Sequence, residues 1–269
     1  MGFENSLRDS WALILGASSG FGGATSLALA EAGMHIAGVH LDRRATLANA
    51  ERIAGEIRAK GREALFFNVN AADPEKRAEV LGTLESHLGE KKEGAVRLLF
   101  HSLAFGTLKP YIASNPEEEV NPKQMEMTLD VMAHSLVYWA QDLAYRGLMG
   151  RGGRILAMTS AGGHRIWKGY GPVSASKAAL ESHMRQLAVE LAPRGITANC
   201  IQAGVTDTPA LRKIPGHEEM VARTLALNPG GRLTTPADVA NAIACLAQAG
   251  TQWMTGNIIR VDGGEDIVG

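Results

Sequence analysis

Seven short apolar runs rich in valine, isoleucine and leucine recur along the chain, at residues 11–15, 34–40, 64–69, 96–102, 154–159, 196–202 and 257–261. Between them lie stretches with apolar residues at helical spacing, at 21–32, 46–60, 74–88, 122–148, 172–191 and 236–249. Continuous apolar runs of this length suit strands buried on both faces, and their alternation with helices predicts a doubly wound parallel sheet of about seven strands with helices on both faces, an α/β fold of Rossmann type. Boundary residues agree. Gly33 falls where the first helix should end, Asp73-Pro74 offers an N-cap followed by proline in the first turn, and Thr235-Pro236 repeats the device. The sequence has no tandem repeat and no break in composition, so residues 1–269 are expected to form one domain. Residues 105–121 and 207–231 follow strands without regular spacing, and the second is expected to act as a substrate lid.

A chain of 269 residues, 45% of them hydrophobic, can bury a core without a staple. Its 27 lysines and arginines against 28 acids leave a formal charge of −1, which argues against a nucleic-acid or anionic-membrane surface. Cys200 and Cys245 are the only cysteines, so neither a disulfide framework nor a metal site built on cysteine is expected. The polar start, the absence of a membrane-length apolar run and the cysteine usage together lead to the expectation of a cytoplasmic protein.

The first strand runs into Gly16-Ala-Ser18-Ser19-Gly20-Phe21-Gly22 and directly into a helix. Glycines there let the backbone approach a pyrophosphate, whose charge the helix N-terminus favours, although they also suit a plain tight turn. After the second strand no acid stands at position 40 to accept the ribose hydroxyls of NAD. Asp42-Arg43-Arg44 follows instead, and an arginine there can pair with the 2′-phosphate of NADP. NADP(H) is therefore expected, with NAD(H) the alternative. Solvated arginines opening the next helix, with Asp42 serving a ribose, fit the residues too.

A second cluster spans Ser160 to Lys177. On one continuous helix Tyr170 and Lys177 would stand about 10 Å apart along the axis. Pro172 belongs in a first helical turn, however, which leaves Tyr170 on the entering loop, able to fold over the cleft, while Lys177 points from the helix toward the cofactor ribose.

Gly16, Gly20 and Gly22, the segment His101-Ser102-Leu103-Ala104, the Tyr170/Lys177 pair, Asn199 to Gly204 and Val261-Asp262-Gly263-Gly264 together resemble the short-chain dehydrogenase/reductase family over nearly the whole chain. Most ketone- and alcohol-handling members carry the tyrosine four residues before the lysine, where this chain has Val173. Six residues between tyrosine and lysine resemble the NADPH-using enoyl-acyl-carrier-protein reductases of fatty-acid biosynthesis. The resemblance implies reduction of a trans-2-enoyl thioester, on acyl carrier protein or CoA, with Tyr170 stabilising the enolate, Lys177 holding the nicotinamide ribose and Ser160 as a third catalytic candidate. It further implies dinucleotide contacts from Ser102, Leu103 and Ala104, from Asn68 and Val69 beside the adenine, and from Gly204, Thr206 and Thr208 at the nicotinamide and β-phosphate. A homotetramer is implied as well. Leu15 and Met132 depart from the family pattern, since Met132 stands where many members have an asparagine that supports a water relay.

Local readings remain for several of these residues. Ser160 can satisfy backbone groups, Thr206 and Thr208 can cap a turn, and His101 and His164 can complete hydrogen bonds. Ala210, Leu211, Ile214, Met220, Val221 and Leu225 suit either an acyl chain or a small packed helix pair. Lys109, Arg212, Lys213 and Arg223 are candidates for contact with an acidic carrier protein. The competing functions are an NADP-dependent carbonyl reductase of hydroxysteroid type and a cofactor-binding protein without catalysis.

Overall fold

The computed structural model describes residues 7–268. Strands β1 (Trp11–Leu15), β2 (His35–His40), β3 (Ala64–Asn68), β4 (Val96–His101), β5 (Arg154–Ser160), β6 (Thr197–Ala203) and β7 (Ile258–Val261) form one sheet in the order β3-β2-β1-β4-β5-β6-β7. Every pairing is parallel. Helices α1 (Gly20–Glu31), α2 (Leu47–Ala59), α3 (Pro74–Leu88), α4 (Pro122–Leu129), α5 (Ser135–Tyr145), α6 (Gly171–Leu191), α7 (His217–Leu227), α8 (Pro236–Leu246) and the short α9 (Glu265–Val268) complete the chain.

Strand periodicity divides the core. In β1, Leu13 and Leu15 enter one apolar cluster with Trp139 and Leu180, while Ala12 and Ile14 enter the opposite cluster with Leu29 and Val239. All of these side chains are buried, each contributing about 1.5–3 kcal/mol of transfer free energy for the larger ones. Both faces of the sheet are thereby covered, as the continuous apolar runs require.

Several boundaries follow from caps. Asp73 accepts from the backbone N–H groups of Glu75 and Lys76 at the start of α3, and Thr235 forms a capping box with Asp238 at the start of α8. Gly33, at φ +100°, turns the chain out of α1.

Two expectations need correction, and residues 207–231 take the helical alternative. Residues 122–148 are not one helix: a wide π turn over Asp130–His134 separates α4 from α5, and Gly147 at φ +72° follows its end. Ser135 Oγ back-bonds to Val131 O at 2.8 Å and accepts from His101 Nε2 at 2.9 Å, so the wide turn is locked to the end of β4. Helix α8 stops at Leu246, three residues early. Residues 207–231 contain a 3-10 turn at Leu211–Lys213 and α7, which Gly216 starts from a left-handed conformation at φ +75°.

Candidate active site

Parallel strands end at one edge, and there a cavity of about 730 Å³ lies over the ends of β4, β5 and β6. Beside it lies the glycine turn, whose Phe21 reaches the lining. Gly16 sits at φ +91°, and a Cβ on it would lie 2.4 Å from Ser102 O. A Cβ on Gly22 would lie 2.0 Å from Gly16 O. Glycine is obligatory at both positions because the contacts are with backbone that cannot yield. Above Gly20 the nearest atom to an added Cβ is Thr208 Cγ2 at 3.9 Å, so the turn faces open space. Ser19 caps α1 without a side-chain bond, and the first turn carries no acid, leaving its N–H groups toward that space.

At the far end of β2, Asp42 does not point to solvent. Its carboxylate receives His40 Nδ1 at 2.8 Å, its N–H donates to Asn68 Oδ1 at 2.8 Å and its carbonyl accepts from Asn68 Nδ2 at 3.0 Å. Burial pushes its pKa up, but hydrogen bonds from Thr46, Ser18 and His40 outweigh that and leave it below the ordinary carboxylate value. Val69 N–H donates to His40 O, tying β3 to the same corner. Arg43 and Arg44 are exposed, and neither pairs with a carboxylate among the described residues.

At the other end, Tyr170 is the N-cap residue of α6, followed by Pro172 in the first turn, as the entering-loop expectation requires. Its ring lies over Gly162, where a Cβ would come within 2.5 Å of Tyr170 Cε1. Burial raises the phenol pKa, and Ser160 opposes that rise. Ser160 Oγ is itself buried, beside the phenol. Lys177 is buried and donates to Met158 O at 2.8 Å. Burial drives its pKa down to about 8, with Cys200 and Glu181 acting in the opposite sense. Tyr170, Lys177, Ser160, Phe21, Ser102, Leu103, Ala104, Gly204, Thr206 and Thr208 all line the one cavity.

The remaining residues sort by geometry. Gly16, Ser18, Ser19, Gly20, Gly22, Arg43, Arg44, Asn68 and Val69 lie outside that cavity's lining, on the β1–β3 side. Thr206 Oγ1 donates to Gly204 O, and Thr208 Oγ1 accepts from Leu211 N–H, so both hydroxyls also serve their turn. Ala210, Leu211, Ile214 and Met220 line the cavity, whereas Val221 and Leu225 do not, because α7 rotates them away and brings Leu227 inward. Lys109 is spent on the carbonyls of Glu117 and Glu119, and Arg212 on Asp207. Lys213 and Arg223 remain at the cavity. His101 is fully buried, its pKa pushed down to about 3 by burial first and by Lys177 second, so it is neutral. His164 pairs with Asp266.

Three acids at the site escaped the sequence reading. Glu181 stands one turn after Lys177, and Thr159 Oγ1 donates to it at 2.5 Å; the i, i+4 spacing from the lysine was the available signal. Glu265 Oε2 accepts from Val205 N–H at 2.9 Å, and Asp266 binds Arg165 at 2.8 Å and Arg260 at 3.0 Å. No periodicity marks the last two, since only tertiary folding returns the tail to the cavity.

A glycine cradle at an open helix start, beside a cavity that holds a buried lysine and a phenol, defines a nicotinamide-dinucleotide oxidoreductase. A family profile described as "Enoyl-(Acyl carrier protein) reductase" matches residues 16–265. Over 264 residues the chain is 32% identical to a chloroplastic NADPH-dependent aldehyde reductase-like protein of Arabidopsis thaliana, covering 94% of this chain and 93% of that one. Over 183 residues it is 32% identical to an enoyl-acyl-carrier-protein reductase (NADH), FabI, of Synechocystis sp., covering 68% of this chain and 69% of that one. A short-chain dehydrogenase from Burkholderia cenocepacia, solved in complex with NADP, superposes with a TM-score of 0.81 at 25% identity over 97% of this chain and 99% of that one. The chain belongs to the short-chain dehydrogenase/reductase family.

Proposed function

We propose that the protein is an NADPH-dependent reductase of trans-2-enoyl thioesters. The observation that carries this reading is the placement of Tyr170 at the mouth of α6, over Gly162 and under a cavity walled by Leu211, Ile214 and Met220, while position 173 holds a buried valine. A bound reduced nicotinamide supplies a hydride. Such a hydride, reaching the β-carbon, would move the double-bond electrons toward the thioester oxygen, and a proton reaching the α-carbon would complete the saturated product. Tyr170 donates a hydrogen bond to the oxygen as its charge grows, which favours the transition state over the substrate. Lys177 holds the ribose hydroxyls and lends its positive charge to the phenol and the enolate. Gly16, Ser18, Ser19, Gly20 and Gly22 would hold the dinucleotide, with Phe21 and the Ser102–Leu103–Ala104 segment beside it, Asn68 and Val69 serving the adenine and Gly204, Thr206 and Thr208 the nicotinamide end.

Two observations support the finer assignments. Asp42 is engaged by His40 while Arg43 and Arg44 stay free, which suits a 2′-phosphate more than a bare ribose. Lys213 and Arg223 at the cavity suit an acidic acyl carrier protein, with residues 207–231 as the substrate lid.

The test is NADPH oxidation with crotonyl-CoA against a panel of aldehydes and ketones. Enoyl turnover is expected, falling about 10²–10³-fold in Tyr170→Phe with dinucleotide binding retained. Carbonyl turnover without enoyl turnover overturns the proposal. That second reading rests on Ser160, whose buried hydroxyl next to the phenol makes a two-donor site for a carbonyl oxygen.

A further inference from the structure

Two carboxylates line the cavity that the reaction above does not use, and of these Asp266 is paired with Arg165 and Arg260 while Glu265 is not. Glu265, the first residue of α9, follows the glycine pair Gly263-Gly264 at the end of β7 and lines the same space as Tyr170, Lys177 and Gly204. Its position is built. Asp262 Oδ1 and Oδ2 accept from the N–H groups of Gly264 and Asp266, winding the tail back over the sheet edge. Asn228 Nδ2 donates to Asp262 O at 2.9 Å and holds the turn from outside. Glu265 Oε2 then takes the Val205 N–H at 2.9 Å, directly after Gly204, where a Cβ would sit 2.6 Å from that same oxygen. The same Cβ would meet Thr234 Oγ1 at 2.5 Å and Asp262 Cβ at 3.1 Å, so Gly204 is closely packed by the tail carboxylate together with these neighbours.

The backbone after Gly204 is the stretch assigned above to the nicotinamide, and a nicotinamide ring is neutral when reduced and cationic when oxidised. We infer that Glu265 is an electrostatic positioning residue of the nicotinamide subsite, placing a negative charge that favours the oxidised, cationic ring over the reduced one. Arg165 and the acids Asp262 and Asp266 face the same carboxylate, so Glu265 is not neutralised by one dedicated cation. Burial raises its pKa, and the Val205 N–H opposes that by stabilising the charged form. A charge held there lowers the cost of building positive charge on the ring as the hydride leaves, which is the direction a reductase needs. The inference rests on dinucleotide binding and is independent of the enoyl assignment.

Glu265→Gln keeps an acceptor for Val205 N–H and removes the charge. The readout is equilibrium binding: Kd for NADPH from its fluorescence and Kd for NADP⁺ by competition, with NADH and NAD⁺ substituted if they bind more tightly. NADP⁺ is expected to bind about tenfold more weakly in the variant while NADPH changes less than about twofold. Glu265→Ala should shift the ratio in the same direction, and Glu265→Asp, which retains the charge, should leave it within about twofold. Adenosine 2′,5′-bisphosphate, which lacks the nicotinamide, should bind all variants as it binds the parent and reports folding. An unchanged ratio in the glutamine and alanine variants, or equal weakening of both forms, overturns the inference. If the glutamine variant fails to bind the bisphosphate, the alanine variant decides alone.

Discussion

Lys177 shows how one buried side chain sets a working range. Burial without a dedicated carboxylate pulls its pKa down to about 8, well below the ordinary lysine value of 10.5. The ammonium is therefore present below about pH 8 and lost above it. Because the native state gives up this proton more readily than the unfolded chain, the linkage term makes stability rise with pH between about 8 and 10.5, while function moves the other way. Turnover at saturating cofactor should accordingly decline above about pH 8 while the melting temperature does not fall with it, a divergence that a pH series of rates and thermal scans will reveal. The glycines make an equally local prediction. In Gly22→Ala the new methyl meets Gly16 O at 2.0 Å, a backbone atom that cannot rotate aside. Destabilisation by about 1–3 kcal/mol is expected in a denaturant titration, together with loss of dinucleotide binding.

At the scale of elements, the tail and the loop that carries Tyr170 act as one piece. Asp266, its side chain 3% exposed, ties Arg165 and His164 of the 161–170 loop to Arg260 of β7. Burial raises its pKa, but hydrogen bonds from Gln202 and His164 and the charges of His164 and Arg165 leave it below the usual carboxylate value. Asp266→Asn should speed amide exchange across residues 161–170 and lower kcat, while binding of adenosine 2′,5′-bisphosphate stays unchanged. Equal exchange in both proteins would show that the loop is held elsewhere. Most elements were legible beforehand, because both-face burial leaves apolar runs and because Asp73-Pro74 and Thr235-Pro236 announce their helices. The π turn was not, since Met132 and Ala133 continue a helical pattern and only the Ser135–His101 contact betrays the extra residue. Tyr170 and Lys177 could be paired from Pro172, whereas Glu265 and Asp266 owe their place to a turn that brings the tail across the sheet edge.

For the whole molecule, the described residues include no helix long and apolar enough to cross a membrane. Tyr138 and Tyr145 on α5 and Val189 on α6 stand exposed, at 40%, 77% and 71%. We propose that these helices bury that surface in a homotetramer, as the family resemblance implies. Light scattering should return four chains per particle, and Val189→Glu should reduce that number without altering the monomer's circular dichroism. The strand order carries a further consequence. The strands β1, β2 and β3, with the glycine turn and Asp42-Arg43-Arg44, come from roughly the first seventy residues of the chain, whereas the phenol, the lysine and the tail acids come from beyond residue 150. On the roles proposed above, recombination within the gene upstream of β4 should exchange the preferred electron carrier and leave the choice of reducible bond intact, so that the two traits could be inherited separately.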